Sequence, residues 1–341
     1  MVFSEIILNW YAENKRGLPW RNTKDPYRIW LSEVMLQQTR VAQGLPYYEK
    51  FIKAFPTVND MAAADEEQVL KLWQGLGYYS RARNMHKTAK MVVENYNSKF
   101  PNTYKELIKL KGVGDYTASA IASICFNEPE PVVDGNVYRV LSRYFGVDIP
   151  INSTEGIKYF KNLAREVMTT ENMRDYNQGI MEFGAIQCAP KKPYCLHCPF
   201  NDGCKALAEN RVHELPVKLK KTKVKNRYFN YLVFLDVNNK TTLEKRTAKG
   251  IWQNLYQFPL LETQRPASIV EIKDHLEAQE GLKVRQYNVK PIVHKLSHQH
   301  LHTIFWIVET KNILQQGISW AETSKYPVPV LIADFMSSFK F

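Results

Sequence analysis

Apolar residues recur at helical spacing through the first two hundred positions of the chain and fall into strand-like runs after about residue 228. Residues 27–43 place Ile29, Trp30, Val34 and Val41 at the three-to-four-residue recurrence of an amphipathic helix. Residues 65–73 and 101–110 follow the same rule, and 137–145 predict a further helix. Strand-like runs are scarce in this half. The pattern then changes. Residues 228–237 read Tyr-Phe-Asn-Tyr-Leu-Val-Phe-Leu-Asp-Val, and residues 302–308 are similar, so both predict strands. Asn238-Asn239 predicts a turn between two strands, and residues 267–279 predict a helix. These elements give a mainly helical region over 1–208 and a smaller α+β domain over 228–341. No internal repeat is visible.

Between the two lies a charged run. Arg211, Lys218, Lys220, Lys221, Lys223, Lys225 and Arg227 stand against one acid, Glu214, and Pro216 interrupts them. Such a run predicts an extended, solvated linker over 209–227, with phosphate contact as the functional alternative. Charge also bears on the partner. With 341 residues and a formal charge of +12, the chain is expected to form about two domains and to meet a polyanion, most often nucleic acid. The first twenty residues have no long apolar run after a basic start, and no stretch approaches the ~20 apolar residues that span a bilayer. The expectation is a cytoplasmic protein without membrane contact, whose thiols stay reduced.

Four of the five cysteines, Cys188, Cys195, Cys198 and Cys204, follow the spacing C-x6-C-x2-C-x5-C among Pro190, Pro193, Pro199 and Gly203. Four soft thiolates so close along the chain predict one metal centre, and spacing alone leaves zinc and an iron–sulfur cluster both open. Gly112-Val113-Gly114 precedes Asp115-Tyr116-Thr117-Ala118 and the small-residue run 118–124. Gly112 and Gly114 permit a tight turn whose amide groups can bind phosphate at a helix start, although a plain helix connector reads the same. Followed by a helix, the turn has the form of a helix-hairpin-helix element, which grips a DNA backbone without reading sequence.

Glu33 lies in the apolar run Trp30-Leu31-Ser32-Glu33-Val34-Met35-Leu36. On pattern alone a solvated stripe is its commoner fate; desolvation would instead raise its pKa and suit it to proton transfer near neutral pH. Asp134, in Val132-Val133-Asp134-Gly135-Asn136-Val137, stands where a helix N-cap belongs, a role compatible with an ionised catalytic carboxylate. Gln37, Gln38 and Thr39 follow Glu33 on the helix predicted there. Gly75-Leu76-Gly77-Tyr78-Tyr79-Ser80-Arg81-Ala82-Arg83-Asn84 joins flexible backbone to two aromatics and two guanidiniums. It could insert an aromatic wedge beside a flipped base while the arginines hold phosphates, or be a simple helix connection.

Taken in order, these motifs resemble the adenine DNA glycosylases that remove adenine mispaired with 8-oxoguanine. The resemblance spans nearly the whole chain. It implies a mainly α helix-hairpin-helix glycosylase domain over 1–208, with a [4Fe–4S] cluster on Cys188, Cys195, Cys198 and Cys204, a basic linker over 209–227, and a C-terminal α+β Nudix-like domain over 228–341. It implies duplex DNA containing A:8-oxoguanine or A:G as partner, and a monomer. Glu33, Asp134, Tyr116 and Asn136 become the catalytic set. Leu36, Gln37, Gln38, Thr39, Tyr78, Ser80, Arg81, Arg83, Gly112, Gly114, Ser297 and His298 become DNA contacts, and Lys191 and Lys192 are presented by the cluster loop. Related glycosylases that cut the strand carry a lysine where this chain has Tyr116, and a phenol forms no Schiff base, so the resemblance implies a monofunctional enzyme. Lys111 is a weaker candidate for any lyase side reaction. Cys125 lies outside the set and is expected to be a buried apolar residue.

Gly250-Ile251-Trp252 and Phe258-Pro259 match marks of the Nudix-like domain. The acidic pair that holds Mg²⁺ in Nudix hydrolases falls at Ala278-Gln279, so pyrophosphate hydrolysis is not expected. The family's Phe-Ser-His loop corresponds to Leu296-Ser297-His298, with leucine for phenylalanine. His298, His300 and His302 alternate as a polar strand face. The rival readings are a bifunctional pyrimidine glycosylase–lyase, against which Tyr116 and the C-terminal domain both count, and a non-catalytic iron–sulfur DNA-binding protein.

Overall fold

Apolar residues recurring every three to four positions mark most of the helices, and left-handed Asn127 and Gly146 end two of them. The computed structural model describes residues 2–219, 224–276 and 282–340; Lys220, Lys221, Lys223 and the Ala278-Gln279 pair lie outside them. Up to residue 208 the regular elements are helical: α1 (Phe3–Asn14), α2 (Pro26–Leu36), α3 (Val41–Ala54), α4 (Val58–Ala63), α5 (Glu66–Trp73), α6 (Ser80–Asn95), α7 (Tyr104–Leu107), α8 (Asp115–Phe126), α9 (Gly135–Phe145), α10 (Thr154–Val167), α11 (Met173–Glu182) and α12 (Lys205–Ala208). The single helix expected over 27–43 is two. Gln37 ends α2 and Gln38 takes a left-handed φ of 54°, which no helix accommodates, so Gln37, Gln38 and Thr39 form the turn between α2 and α3. The helix expected over 101–110 is one short piece, α7, followed by turns.

The later part holds β1 (Lys225–Leu235), β2 (Lys240–Thr241), β3 (Glu244–Lys245), β4 (Tyr256–Gln257), β5 (Leu260–Thr263), α13 (Ile269–His275), β6 (Lys283–Gln286), β7 (Ile292–Lys295), β8 (Gln299–Glu309), β9 (Ile318–Ser319) and α14 (Val330–Ser338). The long strands β1 and β8 run parallel at the centre of one sheet, with Tyr228 opposite His302 and Leu232 opposite Trp306. β5 pairs with β1, and β6 and β7 pair with β8, all antiparallel. Asn239, at φ 55°, sits in the expected turn, but β2 then pairs with β9 and not with β1.

Contacts divide the chain into two units, Met1–Ala63 with Asn84–Lys220, and Ala64–Arg83 with Lys221–Phe341. The first has an aromatic core of Phe3, Ile7, Trp10, Tyr11, Phe160, Phe183 and Phe200 among others. In the second, Leu232, Ile272, Ile304, Trp306 and Val308 cluster together, and Phe305 stacks on Phe335 of α14 at 4.0 Å. Residues 64–83 join the second unit through their polar ends. Glu66 accepts from Asn254, and Glu67 from Lys245 and from the Tyr256 hydroxyl. The solvated-linker expectation fails over 209–219. Val212 and Leu215 are buried against Ala206, Arg211 pairs with Asp148, Glu209 and Glu214, and Ile151 donates to the Val217 carbonyl. At the other end, Lys225 and Arg227 are already in β1.

Candidate active site and nucleic-acid contacts

Glu33 sits on α2, which is buried at seven consecutive residues from Ile29 to Met35, so its carboxyl has no solvated stripe to occupy. It is 8% exposed. Burial pushes its pKa up to about 7; a hydrogen bond from the Tyr116 hydroxyl and the charge of Arg21 work against that rise, while Asp134 adds to it. Tyr116 is the second residue of α8, directly after the glycine turn. Burial and its two carboxylate neighbours hold its phenol well above the ordinary value, so it remains a donor.

Asp134 caps α9. Its Oδ1 accepts from the backbone of Asn136 and Val137, both at 2.8 Å, and its Oδ2 accepts from Asn136 Nδ2 at 2.8 Å. Arg139 Nη2 donates to Asn136 Oδ1 at 2.8 Å, fixing that side chain in turn. Burial raises the Asp134 pKa, and these donors together with Arg139 pull it back. Cap and site residue are therefore one group, but burial contests the ionisation that a free cap would have.

Glu33, Tyr116, Asp134 and Asn136 line a single cavity of about 180 Å³, together with Arg16, Arg21, Gln178, Met181 and Glu182. That is below the ~300 Å³ at which sites for drug-sized ligands begin, and it suits one small planar group. Glu182, at the end of α11, is almost fully buried and takes Arg16 and Arg21 in paired hydrogen bonds of 2.5 to 2.8 Å. Burial alone would raise it; the two guanidiniums outweigh burial and hold it at about 2. One cavity thus carries a carboxyl that titrates near neutrality and another that stays ionised, the division of labour that acid–base sites require.

The expected hairpin lies between α7 and α8. Gly112 has φ 75°, and a Cβ there would stand 2.7 Å from Asn84 Cβ, so glycine is required. Gly114 caps α8 with open space beside it, and Val113 alone of the three is buried. Gln37 donates to Thr117 at 3.2 Å, tying the α2–α3 turn to α8. Leu36 and Thr39 also line the cavity, whereas Gln38 is exposed.

Cys188 closes a π-helical turn, Phe183–Gln187, that extends α11; Cys195 and Cys198 bracket a 3₁₀ turn, and Cys204 caps α12. None is in a disulfide. Arg143 Nη1 donates to the Cys188 sulfur at 3.4 Å. Burial pushes the Cys198 thiol up to about 11, and Cys188, Cys204 and Cys195 add to the rise, so the other three thiols lie within electrostatic reach of it. The loop leaves Tyr194 and Leu196 at 66% and 81% exposure, beside exposed Lys191 and Lys192. Cys125 lies in the last turn of α8 and is half-buried, short of the full burial expected of it, with its thiol pushed up to about 12 by desolvation.

In the second unit the Tyr78 hydroxyl and Ser297 Oγ share a hydrogen bond of 2.6 Å. Both line a cavity of about 430 Å³ with Ser80, Trp252, Leu296 and His298. Tyr78, Ser80, Ser297 and His298 are exposed. The two loop arginines depart from expectation. Arg81 is buried, and Arg83 is half-buried with its Nη1 on the Gln253 carbonyl at 2.8 Å, so neither is a free phosphate hand. His302 stacks on Tyr228 at 5.0 Å and bonds Asn226 at 3.1 Å.

Residues 31–166 match the family described as HhH-GPD superfamily base excision DNA repair protein, and residues 230–338 match the NUDIX domain. The chain is 37% identical over 304 residues to the adenine DNA glycosylase of Buchnera aphidicola subsp. Schizaphis graminum, covering 89% of this chain and 86% of that protein. It belongs to the adenine DNA glycosylase family. It is also 42% identical over 214 residues to the adenine DNA glycosylase of Homo sapiens, covering 60% of this chain and 39% of the human protein. Among solved structures, a thermostable thymine-DNA glycosylase superposes with TM-score 0.56 at 31% identity, over 61% of this chain and 95% of that one. An endonuclease III–DNA complex superposes with TM-score 0.53 at 22% identity, over 61% and 94%, which shows a common fold.

For this member of the family, sequence reasoning missed Arg16, Arg21 and Glu182. Glu182 sits in Gly179-Ile180-Met181-Glu182-Phe183, as apolar a setting as that of Glu33. The same test, a carboxylate inside a mainly apolar run, would have found it.

Proposed function

We propose that this chain is a monofunctional DNA glycosylase that hydrolyses the N-glycosidic bond of adenine opposite 8-oxoguanine or guanine in duplex DNA. The observation that carries the reading is the cavity where Glu33, protonatable near pH 7, stands with Tyr116 and Asp134. Adenine rotated out of the duplex would enter it. The Glu33 carboxyl gives its proton to N7. The C1′–N9 bond then breaks, and its electron pair leaves with the base. Asp134, aimed by the Asn136 and Val137 donors, stabilises the oxocarbenium ion as carboxylates do in sugar hydrolysis. Water adds to C1′ and passes a proton to the Glu33 carboxylate, restoring the acid. Tyr116 keeps Glu33 oriented and offers no amine, so no Schiff base with the sugar follows.

Cys188, Cys195, Cys198 and Cys204 would hold a [4Fe–4S] cluster, for which four thiols and the Arg143 donor are a fitting set. Bound there, such a cluster would cross-link the four cysteines and so restrain the loop bearing Lys191 and Lys192. Gly112 and Gly114 would offer backbone amides to a phosphate. Tyr78 and Ser297 would face the base left opposite the flipped adenine, with Ser80, Leu296 and His298 around it. Leu36, Gln37, Gln38 and Thr39 would meet the duplex at the mouth of the adenine cavity.

The test is single-turnover base release on an A:8-oxoguanine duplex, with borohydride trapping alongside. Rapid release of free adenine, strand breaks only after alkali and little trapped crosslink are expected. A strong crosslink that survives Lys111→Ala would remove the monofunctional assignment. DNA binding without base release would leave only the binding-protein reading.

A further inference from the structure

The loop ahead of α6 is backbone-strained and is held by two buried side chains, Trp73 and Arg81. Gly75, Gly77 and Tyr78 all take positive φ, at 97°, 79° and 50°, and only the glycines do so at no steric cost. Two donors converge on one carbonyl of this loop: Trp73 Nε1 reaches the Gly77 oxygen at 2.9 Å and Arg81 Nη2 reaches it at 3.1 Å. The Arg81 guanidinium also lies 5.1 Å from the Trp73 ring centroid and 5.6 Å from that of Tyr78, within cation–π range of both. Trp73 is fully buried and Arg81 is 9% exposed, while Tyr78 is 47% exposed. Burial brings the Arg81 pKa down to about 10, a cost that a mere surface contact would not incur. At its far end Tyr78 bonds Ser297.

We propose that Arg81 is a positioning residue: its buried guanidinium braces the Tyr78 ring and the Gly77 carbonyl, so that the left-handed loop presents the Tyr78 hydroxyl to Ser297 and opposite-base discrimination follows. This rests on the reading that Tyr78 and Ser297 face the base opposite the flipped adenine. Arg81 acts there without touching DNA. A lysine in its place keeps the charge but loses the planar face and the fork that serve two rings and a carbonyl at once.

The test uses the full chain, with Arg81→Lys and Arg81→Gln alone and in combination with Tyr78→Ala. The readout is the ratio of single-turnover rates for adenine opposite 8-oxoguanine and opposite guanine. We expect either Arg81 variant to lower that ratio about tenfold, the scale of one well-placed cation–π contact, and to shift substrate affinity more than the limiting rate. In the Tyr78→Ala background the same change should have almost no further effect. An unchanged ratio in whichever Arg81 variant folds, or a loss that adds in full to that of Tyr78→Ala, overturns the proposal. If Tyr78→Ala and Ser297→Ala themselves leave discrimination intact, the underlying reading of that face fails, and the role of Arg81 falls with it.

Discussion

Glu33→Gln should stabilise the protein while disabling it, and the stabilisation should depend on pH. The folded protein keeps the Glu33 proton up to about pH 7, whereas the unfolded chain releases it near the ordinary 4.5. Between those values the folded state binds more protons than the unfolded state, so this group makes stability fall as pH rises, with the full cost present above about 7. The shift from 4.5 to about 7 corresponds to about 3 kcal/mol at pH 8, and to under about 1 kcal/mol at pH 5, where the unfolded carboxyl is only partly more ionised. Glutamine is neutral at every pH, and its carbonyl can still accept the Tyr116 hydroxyl. Relative to the parent, the variant should gain about 2–3 kcal/mol more at pH 8 than at pH 5, read as the difference in thermal midpoint between the two conditions. Single-turnover base release should meanwhile fall by about 10²–10⁴ or more, since both the acid and the water-activating base are gone. Equal effects on the midpoint at pH 5 and pH 8 would refute the desolvation argument. A near-parental rate would refute the catalytic one.

The parent enzyme's single-turnover rate should decline as pH rises through about 7, with this alkaline limb set by loss of the Glu33 proton, and a rate that is flat from pH 6 to 8.5 would contradict this. Glu182→Ala should cost about 3 kcal/mol or more in thermal or denaturant melts, because it leaves Arg21, 11% exposed, without its carboxylate. The stability that Glu182 contributes is fully present above its unfolded value of 4.5 and should be lost as pH falls toward about 2. Cys198→Ser should lower bound iron in elemental analysis and weaken DNA binding through loss of order around Lys191 and Lys192; full iron content would exclude Cys198 as a ligand.

Periodicity located the helices and the long strands because both signals are local. It misplaced what depends on partners far away in sequence. The α2–α3 break turns on one left-handed residue, Gln38, that carries no glycine signal. Residues 65–73 read as one more helical segment, yet Glu66 and Glu67 are matched to Asn254, Lys245 and Tyr256, nearly two hundred positions on. A chain cut near Arg227 would therefore expose α5 as well as remove the sheet, and would also split β1. The basic run misled for a related reason. Counting charges over 209–219 hid Val212 and Leu215, whose burial decides where that segment lies.

The two carboxyls proposed as catalytic show the same limit more sharply. Glu33 and Asp134 are a hundred residues apart, and neither motif alone separates a proton donor from a surface charge or a cap. What separates them is desolvation together with partner type, and both are tertiary properties. Glu33 is given a phenol, which lowers its pKa too little to offset burial. Glu182, in the same cavity, is given two guanidiniums, which more than offset it. Because Arg21 acts on both, holding Glu182 ionised and restraining the rise of Glu33, the acidity of Glu33 is set partly by a salt bridge it does not belong to. The cavity is therefore one electrostatic unit. A change at Arg21 or Asp134 should therefore reach the proposed chemistry through the Glu33 proton as well as by any direct contact.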